Sequence, residues 1–252
     1  MHAVTATIPL TDASVTACRW GDGPPDIVLL HDGLGSIAQW RSVPERLAAR
    51  SGRTVLAYDR PGHGASTPTP SGPWPADWLR TEARRLAELL EHTGANDPLL
   101  VGHSDGGSIV LLHAAGGGRG RGAVALAAHS WVEAAAVAEI DRLRGQSAAV
   151  VAGLAKHHEH PAALFEAWSG AWVGASFGTF DIRPELSRIT MPTTIVQGRD
   201  DEFATDAQAE LTAAAIGPVA VCRLLPGVRH LLHHDDPDLV VDLVLEAASS
   251  TP

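Results

Sequence analysis

Lysine is almost missing from this chain. Lys156 is the sole example among 252 residues, against 29 acidic side chains and a formal net charge of −10. No basic cluster of nucleic-acid-binding size exists, and the Arg119-Gly120-Arg121 pair reads as a surface loop. The same acidity argues against an anionic membrane or an acidic carrier protein as partner. Cysteine is scarce too. Cys18 and Cys222 both fall in alternating, strand-like text and are expected as buried free thiols, in keeping with a reducing cytoplasm. No run approaches the ~20 uninterrupted apolar residues of a membrane span. Met1-His2-Ala3-Val4-Thr5 has neither the basic nor the apolar region of a secretion signal, so the expected location is cytoplasmic. No phosphate-cradling G-x-G-x-x-G or G-x-x-x-x-G-K-[ST] follows a strand, which removes nucleotide binding. These absences leave a small, neutral or apolar molecule as the expected partner, with no nucleic acid and no membrane. Oligomeric state is not legible.

What is present is a core. Apolar residues make up 45% of the chain, enough for one large α/β domain. Ile27 to Leu30, Thr54 to Tyr58, Leu99 to Gly102, Ala123 to Ala128, Thr194 to Gln197 and Ala220 to Leu225 read as buried strands, near-continuously apolar as parallel strands covered on both faces are. An alternating stretch from Thr5 to Trp20 adds an antiparallel hairpin. Between strands, Leu79, Ala83, Leu86 and Leu90 recur at helical spacing behind a capping Asp77, and Leu239, Val240, Leu243 and Val244 form a stripe begun by Asp236 and Pro237. Strand–helix alternation of this kind predicts an α/β fold with a doubly wound, mostly parallel sheet.

The alternation breaks once. Residues 131–189 are Ala-rich helical text carrying Trp131, Phe165, Trp168, Trp172, Phe177 and Phe180, too long for a loop between two strands. We expect a short helical lid inserted late in the sheet, with residues 1–130 and 190–252 as the core. Its aromatics either fill the lid's own interior or face a cleft below it.

One pentapeptide points to chemistry. Gly102-His103-Ser104-Asp105-Gly106 follows an apolar strand and precedes an apolar helix, the context in which a G-x-S-x-G serine stands on a sharp turn at the sheet edge. A serine hydroxyl is a poor nucleophile at neutral pH and needs a base, which in turn needs an orienting group. Downstream, one strand runs into Asp200-Asp201 and the next into His230. Ser, Asp and His would all stand beyond strand C-terminal ends, where open α/β sheets bind ligands.

With these features the chain resembles the α/β-hydrolase superfamily over nearly its whole length. Leu29-Leu30-His31-Asp32-Gly33-Leu34-Gly35 is similar to the family's oxyanion loop, and Asp59-Arg60-Pro61-Gly62-His63-Gly64-Ala65-Ser66 to its D-x-x-G-x-G-x-S turn. The resemblance implies Ser104 as nucleophile, His230 as base and Asp201 as acid, with Asp200 and, more remotely, Glu133 as alternatives. It implies an oxyanion hole from the amides of Gly33 and Asp105, or of Leu34 if the loop carries one more residue. Leu34, His103, Trp131, Trp168 and Trp172 are expected along the substrate pocket. The sequence departs from the family at Asp32, where glycine is usual. That acid either braces the loop or sits by the pocket, where it would disfavour anionic substrates. His31, His63 and His103 are expected to brace backbone, His103 lying under or along the pocket. His157, His158 and His160 lack ligand spacing and are expected as solvated lid residues. No metal and no cofactor are expected.

The function expected is that of a serine hydrolase cleaving a small, largely apolar ester or lactone through an acyl-enzyme. Two alternatives stay open. One is a C–C bond hydrolase of the meta-cleavage-product type, with Arg183 or Arg188 binding the substrate carboxylate. The other is a non-catalytic ligand-binding member of the fold.

Overall fold

Side-chain alternation along the short central strands sorts them into two layers. The computed structural model describes residues 3–250 and holds one eight-stranded sheet in the order β1-β2-β4-β3-β5-β6-β7-β8. The strands are β1 (Ala3–Pro9), β2 (Ser14–Trp20), β3 (Ile27–Leu30), β4 (Val55–Tyr58), β5 (Leu99–His103), β6 (Gly122–Leu126), β7 (Thr193–Gly198) and β8 (Ala220–Leu225). The N-terminal hairpin is antiparallel, with Ala3 opposite Trp20, and β2 runs antiparallel to β4; every pairing from β4 onward through β3 to β8 is parallel. The sheet is thus of the mostly parallel, helix-flanked kind that the alternation predicts.

Ten helices complete the described chain: α1 (Val43–Ser51), α2 (Trp78–Thr93), α3 (Asp105–Ala115), α4 (Ala134–Arg144), α5 (Ser147–Leu154), α6 (Pro161–Trp172), α7 (Arg183–Leu186), α8 (Asp206–Ile216), α9 (Leu232–Asp235) and α10 (Pro237–Ser250). Ile27, Leu29, Val55, Ala57, Leu99 and Val101 point to one layer, against Leu47 of α1 and Val240 and Val244 of α10. Their neighbours Val28, Leu30, Leu56, Tyr58 and Leu100 point to the other, against Leu86 of α2 and Ile109 of α3. A period of two places successive side chains on opposite faces, so a strand apolar at every position has to be covered twice. Each buried Leu, Ile or Val contributes roughly 1.5–3 kcal/mol of burial.

Two local expectations are corrected. Strand β8 is only half-covered, with Val221 53% exposed and Cys222 exposed as well, whereas Cys18 is buried. It is the last strand of the sheet, and edge position is set by topology, which apolar local text does not reveal. Asp77 stands at the N-cap of α2 without a side-chain bond; its carbonyl oxygen, not its carboxylate, accepts the Arg80 and Thr81 amides. Asp236 does cap α10, Oδ1 accepting the Leu239 amide at 3.0 Å.

Between β6 and β7 lie α4 to α7, and an isolated bridge from Trp131, before α4, to Asp181, before α7, joins the segment to itself. Among the described residues no helix is long and apolar enough to cross a membrane.

Candidate active site

The serine sits in a conformation that its neighbours enforce. Ser104, between β5 and α3, has φ 52° and ψ −118°, a region costing a non-glycine residue ~1–3 kcal/mol. The turn is tight enough that a Cβ on Gly102 would lie 2.2 Å from the Gly106 carbonyl oxygen, and one on Gly106 would lie 2.3 Å from that of Leu30. Only glycine fits either place. The Ser104 amide is anchored by donating to Leu126 O at 2.8 Å, so the strain is held by the β5–β6 seam.

The histidine and one carboxylate meet beyond β7 and β8. His230 Nδ1 lies 2.8 Å from Asp201 Oδ2 and 3.0 Å from Oδ1. Asp201 is itself fixed: Gln197 Nε2 donates to Oδ2 at 2.6 Å and the Phe203 amide to Oδ1 at 2.7 Å. Burial alone would raise the Asp201 carboxyl, but the His230 charge, its hydrogen bond and the Phe203 amide outweigh it and hold the group below the usual aspartate value. Burial likewise works to lower His230, and the charge and hydrogen bond of Asp201, with Asp32 and Glu202 beyond, turn the net shift upward. Asp200 is exposed, and Glu133 is occupied with the Thr205 amide and hydroxyl and with Gln208. Neither reaches His230.

Ser104 and His230 line one cavity of about 270 Å³ with Trp168 and Trp172 of α6, Leu34 and Phe203. Ser104 Oγ makes no hydrogen bond to a described residue, and serine–imidazole contacts are often long before substrate arrives. The Leu34 amide is already donated to Asp32 Oδ1 at 2.9 Å, whereas the amides of Gly33 and Asp105 have no acceptor among the described residues. Both residues line the cavity. Trp168 Nε1 donates to Asp105 Oδ2 at 2.9 Å, and burial pushes the Asp105 carboxyl up to about 6.

Three expectations about the surroundings fail. Trp131 lies outside the cavity, its ring covered by the Arg183 guanidinium at 4.3 Å. His103 does not line the cavity; it lies beneath it and braces backbone, the other part of its expectation, donating from Nε2 to the His230 carbonyl oxygen at 2.8 Å. His158 is not solvated: its Nδ1 accepts from the Gly64 amide at 3.0 Å and its Nε2 donates to Leu34 O at 3.1 Å. These partners are remote in sequence, so helix spacing carried no sign of them. His31 and His63 brace backbone, His31 Nε2 accepting from the Arg60 amide and His63 Nε2 donating to Gly33 O, each at 3.0 Å. Asp32 is buried, braces the loop through Leu34, and also touches the cavity. Burial works against its charge, yet His103, His31 and His233 around it keep its carboxyl well below the ordinary range.

Sequence reasoning missed Gln197, Phe203 and His129. His129 lines the cavity with its ring 6.1 Å from that of His230, and burial holds it neutral, down at about 3. Its place just beyond β6, in line with the other strand ends, was the available signal.

The chain is 27% identical to a non-heme haloperoxidase of Rhodococcus erythropolis, over 84% of its own length and 87% of that protein. Its fold matches the crystal structure of E-2-(acetamidomethylene)succinate hydrolase at TM-score 0.78 and 20% identity, covering 99% of this chain and 100% of that one. It also matches the enol-lactonase from Burkholderia xenovorans LB400 at TM-score 0.72 and 20% identity, covering 97% and 100%. Since residues 27–243 match the Alpha/beta hydrolase family, spanning the sheet from β3 to α10 and every side chain of the cavity, the chain belongs to that family and is a hydrolase.

Proposed function

We propose that the chain is a serine hydrolase of small, largely apolar carboxylic esters or lactones, working through an acyl-enzyme. The observation that carries this reading is an imidazole held by both oxygens of Asp201 in the same cavity as a strained serine that lines it. As Ser104 Oγ attacks the ester carbon, its proton passes to His230 Nε2, and Asp201 stabilises the imidazolium. The amides of Gly33 and Asp105 receive the oxyanion, each worth ~3–4 kcal/mol in transition-state stabilisation. His230 then returns the proton to the departing alkoxide as the C–O bond breaks. Water repeats the sequence to free the acid. Residues 131–189 serve as the lid that supplies the two indole walls.

No Lys or Arg lines the cavity, while Asp32, Asp105 and Glu139 do. Arg183 is paired with Asp181 and Arg188 with Glu185, so neither is free to bind a substrate carboxylate of a C–C hydrolase. A neutral ester or lactone fits better. The test is a panel of p-nitrophenyl esters of rising acyl length, aliphatic lactones, and the same esters bearing a distal carboxylate. We expect turnover of short neutral esters and at least a tenfold lower kcat/KM for the anionic ones. Preference for the anionic substrates, or turnover of vinylogous diketones alone, contradicts the reading.

A further inference from the structure

Beneath the cavity, three side chains from three different parts of the chain converge: Asp32 after β3, His103 at the end of β5 and His233 in α9. One donor atom from each lies within 4.8 Å of the others, and all three residues are more than nine-tenths buried, at 8%, 0% and 2% exposure. Asp32 Oδ1 is used by the Leu34 amide, and Oδ2 is left facing His103 Nδ1 at 3.4 Å. His103 Nδ1 and His233 Nδ1 are both buried without any hydrogen-bond partner. A buried imidazole nitrogen left without a hydrogen-bond partner costs ~1–3 kcal/mol.

We propose that Asp32, His103 and His233 form a binding site for a divalent transition-metal ion, Zn²⁺ being the type of ion it suits. Two imidazoles and one carboxylate are a borderline donor set, too nitrogen-rich for Mg²⁺ or Ca²⁺ and lacking the thiolates of a Cu(I) site.

The spacing separates this from a proton. His103 Nδ1 stands 3.4 Å from Asp32 Oδ2. A charge-assisted N–H···O bond would draw the pair to ~2.7–2.9 Å, whereas two donors ~2.1 Å from one tetrahedral ion lie about 3.4 Å apart; the three donor atoms, within 4.8 Å of one another, would close slightly on the ion. The outer shell agrees. His103 donates its other ring proton to the His230 carbonyl oxygen at 2.8 Å, which fixes the tautomer with the Nδ1 lone pair facing inward. Asp32, touching the cavity, offers the way in. The ion is structural and takes no part in the ester chemistry: it would pin the oxyanion loop, the serine turn and the histidine loop to one another.

Untagged protein stripped with a chelator should be titrated calorimetrically with Zn²⁺, its metal content measured after gel filtration, and its melting temperature followed. We expect one ion per chain, a rise in melting temperature, and binding at least 100-fold weaker in Asp32→Asn and in His233→Ala. Replacing His157 and His160 by Ala should change nothing. Co²⁺ loaded into the wild type keeps the test decisive if the variants fail to fold: strong visible bands of a low-coordinate nitrogen–oxygen site are expected. The inference is overturned by the absence of a stoichiometric ion, by the pale spectrum of octahedral Co²⁺, by unchanged binding in both folded variants, or by loss of the ion on replacing His157 and His160.

Discussion

His230 is pulled in two directions, and the balance sets a pH dependence. Burial disfavours its charge; Asp201, at 2.8 Å, favours it more, so the imidazolium persists above the ordinary histidine value of 6.5. A general base must be neutral to take the serine proton. The rate should therefore fall as pH drops through a value above 6.5, the acid limb of kcat/KM. Asp201→Asn should lower the rate by ~10⁴-fold and move that limb to lower pH, while Asp200→Asn should leave both unchanged. The opposite ranking of the two variants would move the acid to Asp200. The same shifts bear on stability. The His230 contribution is complete below the unfolded value and is lost as pH rises through the raised folded one; the Asp201 contribution is present above its unfolded value and is lost as pH falls through the depressed one. The pair thus stabilises most between the two. The shared placement of Ser104, Asp201 and His230 was legible because each follows a strand, and strand ends of a parallel sheet share one edge. Gln197, which holds Asp201 in place, was not, because its own strand text says nothing of which side chain its amide meets.

The β5–turn–α3 unit and helix α6 give the site its floor and its wall. The floor was readable, since glycines on both sides of a serine between apolar runs announce close approach. The wall was readable only as a choice between lid interior and cleft, and the structure shows that choice to be false for two residues. Trp172 packs its ring against Phe177 at 5.0 Å and His129 at 5.1 Å while also lining the cavity, and Trp168 likewise belongs to the core and to the wall. Phe177 is buried in the same cluster but does not reach the cavity. Trp172→Ala and Phe177→Ala should each cost ~3–5 kcal/mol in stability. Only Trp172→Ala should also shift preference toward longer acyl chains, by opening the wall. Melting curves beside kcat/KM across the ester series decide the point. An identical change of preference in both variants would mean that the lid acts through its order alone. Trp131, the third expected wall residue, stands outside because it is bridged to Asp181 and covered by Arg183, a pairing set by the return of the chain to β7.

Across the whole molecule, the excess of acidic groups is matched by where the cations lie. Ion pairs of arginine stud the surface, as with Arg80 to Glu185 and Arg85 to Asp12, and none of these arginines lines the active-site cavity. The sheet's parallel character was legible because its strands are apolar throughout. Its order and its edges were not, and the half-exposed β8 shows why: burial of a strand depends on neighbours that local text does not name. The Asp32–His103–His233 cluster was hidden for the same reason, its members being spread over a loop, a strand end and a short helix far apart in sequence. The central claim is that Ser104 forms a covalent intermediate with the aid of His230. Intact-mass analysis after exposure to a fluorophosphonate tests it most directly. The account predicts one adduct per chain, located on Ser104, absent in Ser104→Ala and slowed by at least ~10³-fold in His230→Ala. An adduct that survives Ser104→Ala, or a folded wild type that forms none while hydrolysing esters, would contradict it.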